Sequence, residues 1–332
     1  MLYWLKDKLS KSNLVKSIFI LLPDEIIGLR KLREIIIEPT NLCNLRCPFC
    51  TNLYSKREKG VMKLKDFKRL TTLLPETISK VTLHFAGEPF LNPNLPEMIQ
   101  ILKRRKITII LSTNGTLPFK VYKKAIDAGL DLMLVTLDGP NKKMHEKYRV
   151  GSDFNQTIEM IKKISSLPKR KTKIVVQYLV MRYSEKYIPQ MKEFCKNLGV
   201  DELWLKTTSF NIAANKEMEK KVLETAKKYL PQNKKYSRYI IKENKLINID
   251  KPKLCNWFWK TVILWNGDVG VCCTDLEGKV IVGNVFKEKN FNKIWKSKKY
   301  AEIKKRIIRQ SLSICQNCNM ANRPYVEKIK FK

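Results

Sequence analysis

The stretch NLCNLRCPFC (residues 41–50) holds three of the nine cysteines and lies one residue beyond the apolar run REIIIEP (33–39). No obvious secretory signal opens the chain, so thiols that bind metal are expected here rather than disulfides. Only two histidines, His84 and His145, are present, which supplies a mixed Cys/His zinc site poorly. All-thiolate ligation suits an iron–sulfur cluster or a Cys₄ zinc site. A trio is informative, because a structural site would be closed by a fourth ligand and an open position implies a bound reactant.

The other thiols are grouped as well. Cys255, Cys272, Cys273, Cys315 and Cys318 form a late set, and Cys195 stands alone in YIPQMKEFCKNLG, where a small core residue is expected.

Outward from the cysteine stretch, apolar β-branched runs alternate with helix-period segments. REIIIEP (33–39), KVTLHF (80–85), ITIILS (107–112), DLMLVTL (131–137), KIVVQYLV (173–180) and ELWLK (202–206) read as parallel strands covered on both faces. LPEMIQILKRRK, FKVYKKAIDAG and NQTIEMIKKISSL carry helical spacing, with Gly129 and Gly199 where C-terminal caps belong. Six β/α units predict a partial (β/α)6 TIM-like barrel, in which chemistry sits at the C-terminal strand ends.

Cys43-x-x-x-Cys47-x-x-Cys50, with Phe49 before the last cysteine, resembles the signature of the radical S-adenosylmethionine (radical SAM) superfamily. The resemblance implies that the three thiolates hold a 4Fe–4S cluster. It further implies that the amino and carboxylate groups of S-adenosylmethionine chelate the fourth iron. Reductive cleavage then gives a 5′-deoxyadenosyl radical, which takes a hydrogen atom from the substrate. Ala86, Gly87, Glu88 and Pro89 resemble the family's Gly-Gly-Glu-Pro motif, which binds the methionine amino group; Ala86 departs from the commoner glycine. STNGT (112–116) matches the family's Thr-Asn-Gly turn through Asn114. TLDGP (136–140) resembles its Ser-x-Asp-Gly segment through Thr136 and Asp138. Arg149, in HEKYR, is expected to pair with the cofactor carboxylate. Gln177 is the candidate contact to ribose, and Leu205 the candidate packing on adenine.

The late cysteines resemble the twitch/SPASM-type extension of radical SAM enzymes. Cys255, the turn WNGD with Gly267, Cys272, and the pair Cys315-x-x-Cys318 follow that order. Because no further cysteine follows Cys318, one auxiliary 4Fe–4S cluster is expected, held by Cys255, Cys272, Cys315 and Cys318. Cys273 is left as a core thiol, an alternative ligand or a hydrogen-atom donor. The alternative for this group is a Cys₄ zinc ribbon.

The expected division is a basic amphipathic arm (1–32), a radical SAM barrel (33–230) and an auxiliary α+β iron–sulfur domain (231–332). The arm's apolar run, Ile18 to Leu22, is too short to span a bilayer. It either packs on the body or rests as a basic helix on an anionic membrane surface. A cytoplasmic or membrane-peripheral location is expected.

Net charge is +35, from 66 basic and 31 acidic residues, but lysine is spread evenly and Ile and Asn are frequent, as in an AT-rich coding sequence. No basic cluster with interleaved aromatics marks a nucleic-acid surface, so nucleic acid is not an expected partner. The resemblance implies a flavodoxin or ferredoxin-type reductant and a small polar, sugar- or aminoglycoside-like substrate. Modification of a ribosomally made peptide is the second reading. A zinc-stabilised nucleic-acid-binding protein is the third, and it leaves the open trio unexplained.

Overall fold

The computed structural model describes residues 31–210, 218–249, 255–315, 318 and 325–331. The expected basic arm lies outside the described residues apart from Lys31 and Leu32.

Six parallel strands follow one another in chain order across the sheet: β1 Glu34–Ile37, β2 Lys80–Thr82, β3 Thr108–Thr113, β4 Leu132–Thr136, β5 Lys173–Val180 and β6 Glu202–Thr207. Their register pairs apolar with apolar residues: Ile35 with Val81, Val81 with Ile109, Met133 with Ile174, and Val176 with Leu203. Helices occupy the crossovers: α1 Leu64–Leu73, α2 Leu95–Arg104, α3 Phe119–Asp127, α4 Lys142–Tyr148, α5 Phe154–Ser165 and α6 Ile188–Asn197. Their buried stripes, such as Leu95, Met98, Ile99 and Leu102 on α2, close the sheet's outer face. Cys195 is fully buried there, as the sequence predicts. Gly129 and Gly199 have positive φ, +97° and +70°, and end their helices in the left-handed turn that glycine tolerates best. This is the partial (β/α)6 barrel.

The C-terminal region does not stand apart. After α7 Met218–Tyr229 and the hairpin β7 Tyr239–Lys242 with β8 Lys245–Asn248, the chain re-enters the main sheet. Strand β9 Lys260–Ile263 lies parallel to β1, with Ile37 opposite Ile263. The antiparallel strands β10 Asp268–Gly270 and β11 Ile281–Asn284 continue that edge. Helices α8 Asn292–Trp295 and α9 Lys298–Arg309 follow, and β12 Tyr325–Lys330 pairs antiparallel with β6. The auxiliary region therefore supplies both flanks of one ten-stranded sheet. That arrangement is not visible in local hydrophobic pattern, because strand partners across the chain leave no trace in it.

Among the described residues no helix is long and apolar enough to cross a membrane.

Candidate active site

The C-terminal ends of the parallel strands border a cavity of about 670 Å³. Cys43, Cys47 and Cys50 line it, carried by the loop after β1. Cys47 is buried and Cys43 exposed. The N–H of Cys50 donates to the Cys47 carbonyl at 3.1 Å, a turn that holds the last two thiols on one side of the loop. Burial raises the Cys47 thiol, which the Arg149 guanidinium partly opposes. Metal binding must therefore displace protons. Among the described residues no three His, Cys, Asp or Glu side chains are drawn together around a single ion. The donor set fits an iron–sulfur cluster by its chemistry: three thiols on one loop, facing one cavity, with no imidazole among them.

The loop after β2 fastens that loop in place. Gly87 has φ +77°, and a Cβ there would lie 2.4 Å from the Leu42 carbonyl oxygen. The N–H of Glu88 donates to that same oxygen at 2.7 Å. Glycine is needed for this close backbone approach. Ala86 and Pro89 are buried behind the cavity wall, while Gly87 and Glu88 border it.

The Glu88 carboxylate accepts the Thr113 hydroxyl at 2.8 Å, the Asn114 N–H at 2.7 Å and the Phe90 N–H at 3.2 Å. Burial still pushes it up to about 7, the three donors and Arg149 opposing the shift. An ammonium placed beside it would restore the charge. Asn114 lines the cavity and donates its amide to the Asn44 side chain at 2.8 Å, on the cysteine loop. Thr136 and Gln177 also line the cavity.

Asp138 is held tightly inside the protein. Its carboxylate accepts Arg149 Nε at 2.6 Å and the Leu179 N–H at 2.7 Å, and it is fully buried. It positions Arg149, whose Nη1 lies 3.8 Å from Cys47 Sγ. Arg149 thus borders the trio as a half-buried cation fixed by its own carboxylate. Phe49 stacks on Tyr148 at 4.5 Å between centroids and packs on Phe210 at 4.9 Å, so the aromatic before the last cysteine roots the loop in a ring cluster.

Leu205 is the residue the sequence misplaces. Opposite it in β5 is Tyr178, and both are fully buried in the core on the helix side of the sheet. Side chains alternate along a strand, so Lys206, opposite Leu179, faces the cavity instead. Lys206, Arg238 and His84 border the cavity without having been expected there. They carry no motif; for Lys206 the parity of β6 would have been the only signal.

Glu38 carries no sequence signal of its role. Fully buried just beyond β1, it accepts both Arg57 guanidinium nitrogens at 2.7 and 2.6 Å, together with the N–H of Trp265 at 3.2 Å. It ties the cysteine loop to the late hairpin.

The second cysteine group gathers beside this edge. The thiols of Cys255, Cys272, Cys273 and Cys318 lie within electrostatic reach of one another, as do those of Cys315, Cys272 and Cys318. Cys272 is buried, and its sulfur accepts the Thr274 N–H at 3.4 Å; hydrogen bonds from Cys273 and Thr274 favour its thiolate. The Cys318 N–H donates to the Cys315 carbonyl at 3.2 Å, the turn that a Cys-x-x-Cys ligand pair uses. Of the five, Cys273 borders the cavity and the other four do not. The fully buried Lys304 braces the Cys255 turn through the carbonyls of Trp257 at 2.7 Å and Lys260 at 2.8 Å.

Residues 37–195 match the model of the radical SAM superfamily, and residues 255–319 match that of an iron–sulfur cluster-binding domain. The second match sets aside the zinc-ribbon alternative. A probable GTP 3′,8-cyclase of Methanococcus maripaludis is 31% identical over 173 residues, covering 51% of this chain and 57% of the relative. The chain thus spans little more than half the length of that relative. The tungsten-containing aldehyde ferredoxin oxidoreductase cofactor-modifying protein of Pyrococcus furiosus is 24% identical over 301 residues, covering 81% of this chain and 82% of the relative. Among solved structures, BtrN in complex with AdoMet and 2-DOIA superposes with a TM-score of 0.58 at 20% identity, covering 91% of this chain and all of that one. Streptococcus suis SuiB bound to the precursor peptide SuiA gives 0.59 at 16% identity, covering 82% and 67%. At these identities the likeness is one of fold.

Proposed function

The chain is a radical SAM protein with a SPASM-type C-terminal iron–sulfur domain, and from that premise we propose that it reductively cleaves S-adenosylmethionine to oxidise or rearrange a small polar substrate. One observation supports this reading above the others. The thiol trio, Glu88, Arg149 and Cys273 of the late group border the same cavity.

When bound, the 4Fe–4S cluster and S-adenosylmethionine supply a 5′-deoxyadenosyl radical that abstracts a hydrogen atom. The protein's own residues do the positioning. Cys43, Cys47 and Cys50 would hold the first cluster. Glu88 would receive the cofactor ammonium, and Arg149, fixed by Asp138, would face its carboxylate. Thr136 and Gln177 offer polar contacts to ribose. Cys255, Cys272, Cys315 and Cys318 would hold an auxiliary cluster that accepts an electron or anchors the substrate, with Cys273 on the cavity side of it. A flavodoxin or ferredoxin-type protein would supply the electron. Peptide modification is the second reading, favoured by Leu53, an apolar side chain 41% exposed at the cavity's border.

Anaerobic reconstitution, reduction and assay for 5′-deoxyadenosine and methionine test the proposal. Deuterium transfer from labelled polar compounds into 5′-deoxyadenosine would then identify the substrate class. A protein loaded with both clusters that forms no 5′-deoxyadenosine would refute it.

A further inference from the structure

We propose that the wall of the cavity formed by Lys206, Arg238 and His84 seats an anionic group of the substrate, a carboxylate or a phosphate. This deepens the function proposed above and rests on it.

Among the described residues the acids that border the cavity do not pair with Lys206. Lys206 borders the cavity, and among the described residues no hydrogen bond or ion pair holds its ammonium. Arg238 adds a second buried cation, with its Nε donating to the Thr207 hydroxyl. The two acids that border the cavity are already engaged. Glu88 accepts three donors from the β2 and β3 loops, and Asp138 is committed to Arg149 and the Leu179 N–H. Neither carboxylate pairs with Lys206.

His84 makes the wall a donor surface as well as a positive one. Its Nδ1 accepts the Ser112 N–H at 3.1 Å, which places the proton of a neutral ring on Nε2. Burial, with Lys206 nearby, keeps that ring neutral. The side chain therefore has one hydrogen to give. An ammonium, a guanidinium and an imidazole N–H together suit a group that only accepts. A cationic or purely apolar substrate would leave the Lys206 ammonium without a counter-charge, which is costly.

The competing occupant is the carboxylate of S-adenosylmethionine itself. Arg149 is the cation beside the trio, 3.8 Å from Cys47 Sγ, so the cofactor carboxylate has a partner nearer the thiols.

The test uses the full chain, reconstituted without oxygen and saturated with S-adenosylmethionine. Inorganic pyrophosphate and succinate are titrated in separate calorimetric arms. One of them should bind, and Lys206→Met should weaken it roughly tenfold to a hundredfold, the range for a hydrogen bond to a charged group. Lys206→Arg should retain most of the binding, which separates loss of charge from loss of fold. The arm that binds names the anion, phosphate or carboxylate. Affinity for S-adenosylmethionine should stay the same in Lys206→Met. Binding of neither probe to the wild type, equal probe binding by Lys206→Met, or a comparable loss of S-adenosylmethionine affinity would each overturn the proposal. Formation of 5′-deoxyadenosine by the wild type is measured alongside. Its absence would refute the proposed function while leaving the anion titration readable on its own.

Discussion

Glu88 and Asn114 are joined by a 2.7 Å hydrogen bond from the Asn114 N–H to the Glu88 carboxylate, so that one strand-end loop anchors the next. The carboxylate is both a structural acceptor and the negative charge nearest the place proposed for the cofactor ammonium. Glu88→Gln separates the two roles only in part. The amide replaces one acceptor oxygen with a donor, which then faces either Asn114 or the pair Thr113 and Phe90. Loss of about 1–3 kcal/mol of stability is expected, with S-adenosylmethionine affinity falling by roughly tenfold to a hundredfold. Urea unfolding and calorimetry measure the two effects; unchanged affinity would remove Glu88 from the cofactor site.

Gly87→Ala should act on the cysteine loop rather than on Glu88. The new Cβ meets backbone at Leu42 and cannot be relieved by a side-chain rotation, and the residue is already at positive φ. Destabilisation of about 1–3 kcal/mol is expected from the strained conformation. Iron bound at the trio should drop, while iron at the late cysteines is kept. Equal iron content in variant and wild type would show that the loop can move aside freely.

The two cysteine groups should separate in an iron assay. About eight irons per chain are expected after reconstitution, and about four when Cys43, Cys47 and Cys50 are all alanine. That variant should form no 5′-deoxyadenosine. Replacing Cys255, Cys272, Cys315 and Cys318 should also leave about four irons. Slow cofactor cleavage should survive in that variant and substrate turnover should stop. Circular dichroism must accompany both, because metal ligation stabilises folds. Full turnover by a folded variant lacking the second group would reduce that group to a scaffold.

Anion binding should depend on pH through Lys206. Burial lowers its ammonium to about 8; Arg238 and Arg149 push the same way, and Asp138 and Cys273 oppose them. His84, the other titratable group at hand, stays neutral above its lowered pKa. The Lys206 ammonium is present below about 8 and is lost as pH rises through it. Where succinate is the anion taken, its binding should therefore weaken by about tenfold between pH 7 and pH 9. A bound anion favours the ammonium and moves the midpoint upward. Lys206→Arg should remove the dependence, since guanidinium does not titrate there. A flat profile in the wild type would place the charge elsewhere.

Much of the barrel is legible because its strands read as continuous apolar runs, although burial alternates along β1, β3 and β6, which also border the cavity. The cysteine loop and the Gly87–Glu88 turn were legible because their chemistry demands particular residues at fixed spacing. Leu205 failed because a run such as ELWLK does not reveal which parity faces the cavity; the register with β5 decides it. Glu38 resembled an ordinary acid at a strand end, and its partners Arg57 and Trp265 lie far along the chain. The return of β9 to β1 was invisible for the same reason. The motif marks Asp138, but its work of holding Arg149 appears only when the two side chains are placed.

The β1–β9 pairing has a consequence for electron flow. Cys43 lies six residues beyond Ile37, and Cys272 nine residues beyond Ile263, and those two strand residues are register partners. The N–H of Glu38 extends the ladder to the Ile263 carbonyl at 2.9 Å. Sliding one strand past the other by a single residue would turn every side chain to the opposite face, so the pairing is locked by the core. The two thiol-rich sites thus share one stiff mount. Tunnelling rates fall exponentially with distance, and a hinged domain would spread them over a wide range as it moved. Under the function proposed, a common sheet would hold the gap between the two clusters to one value.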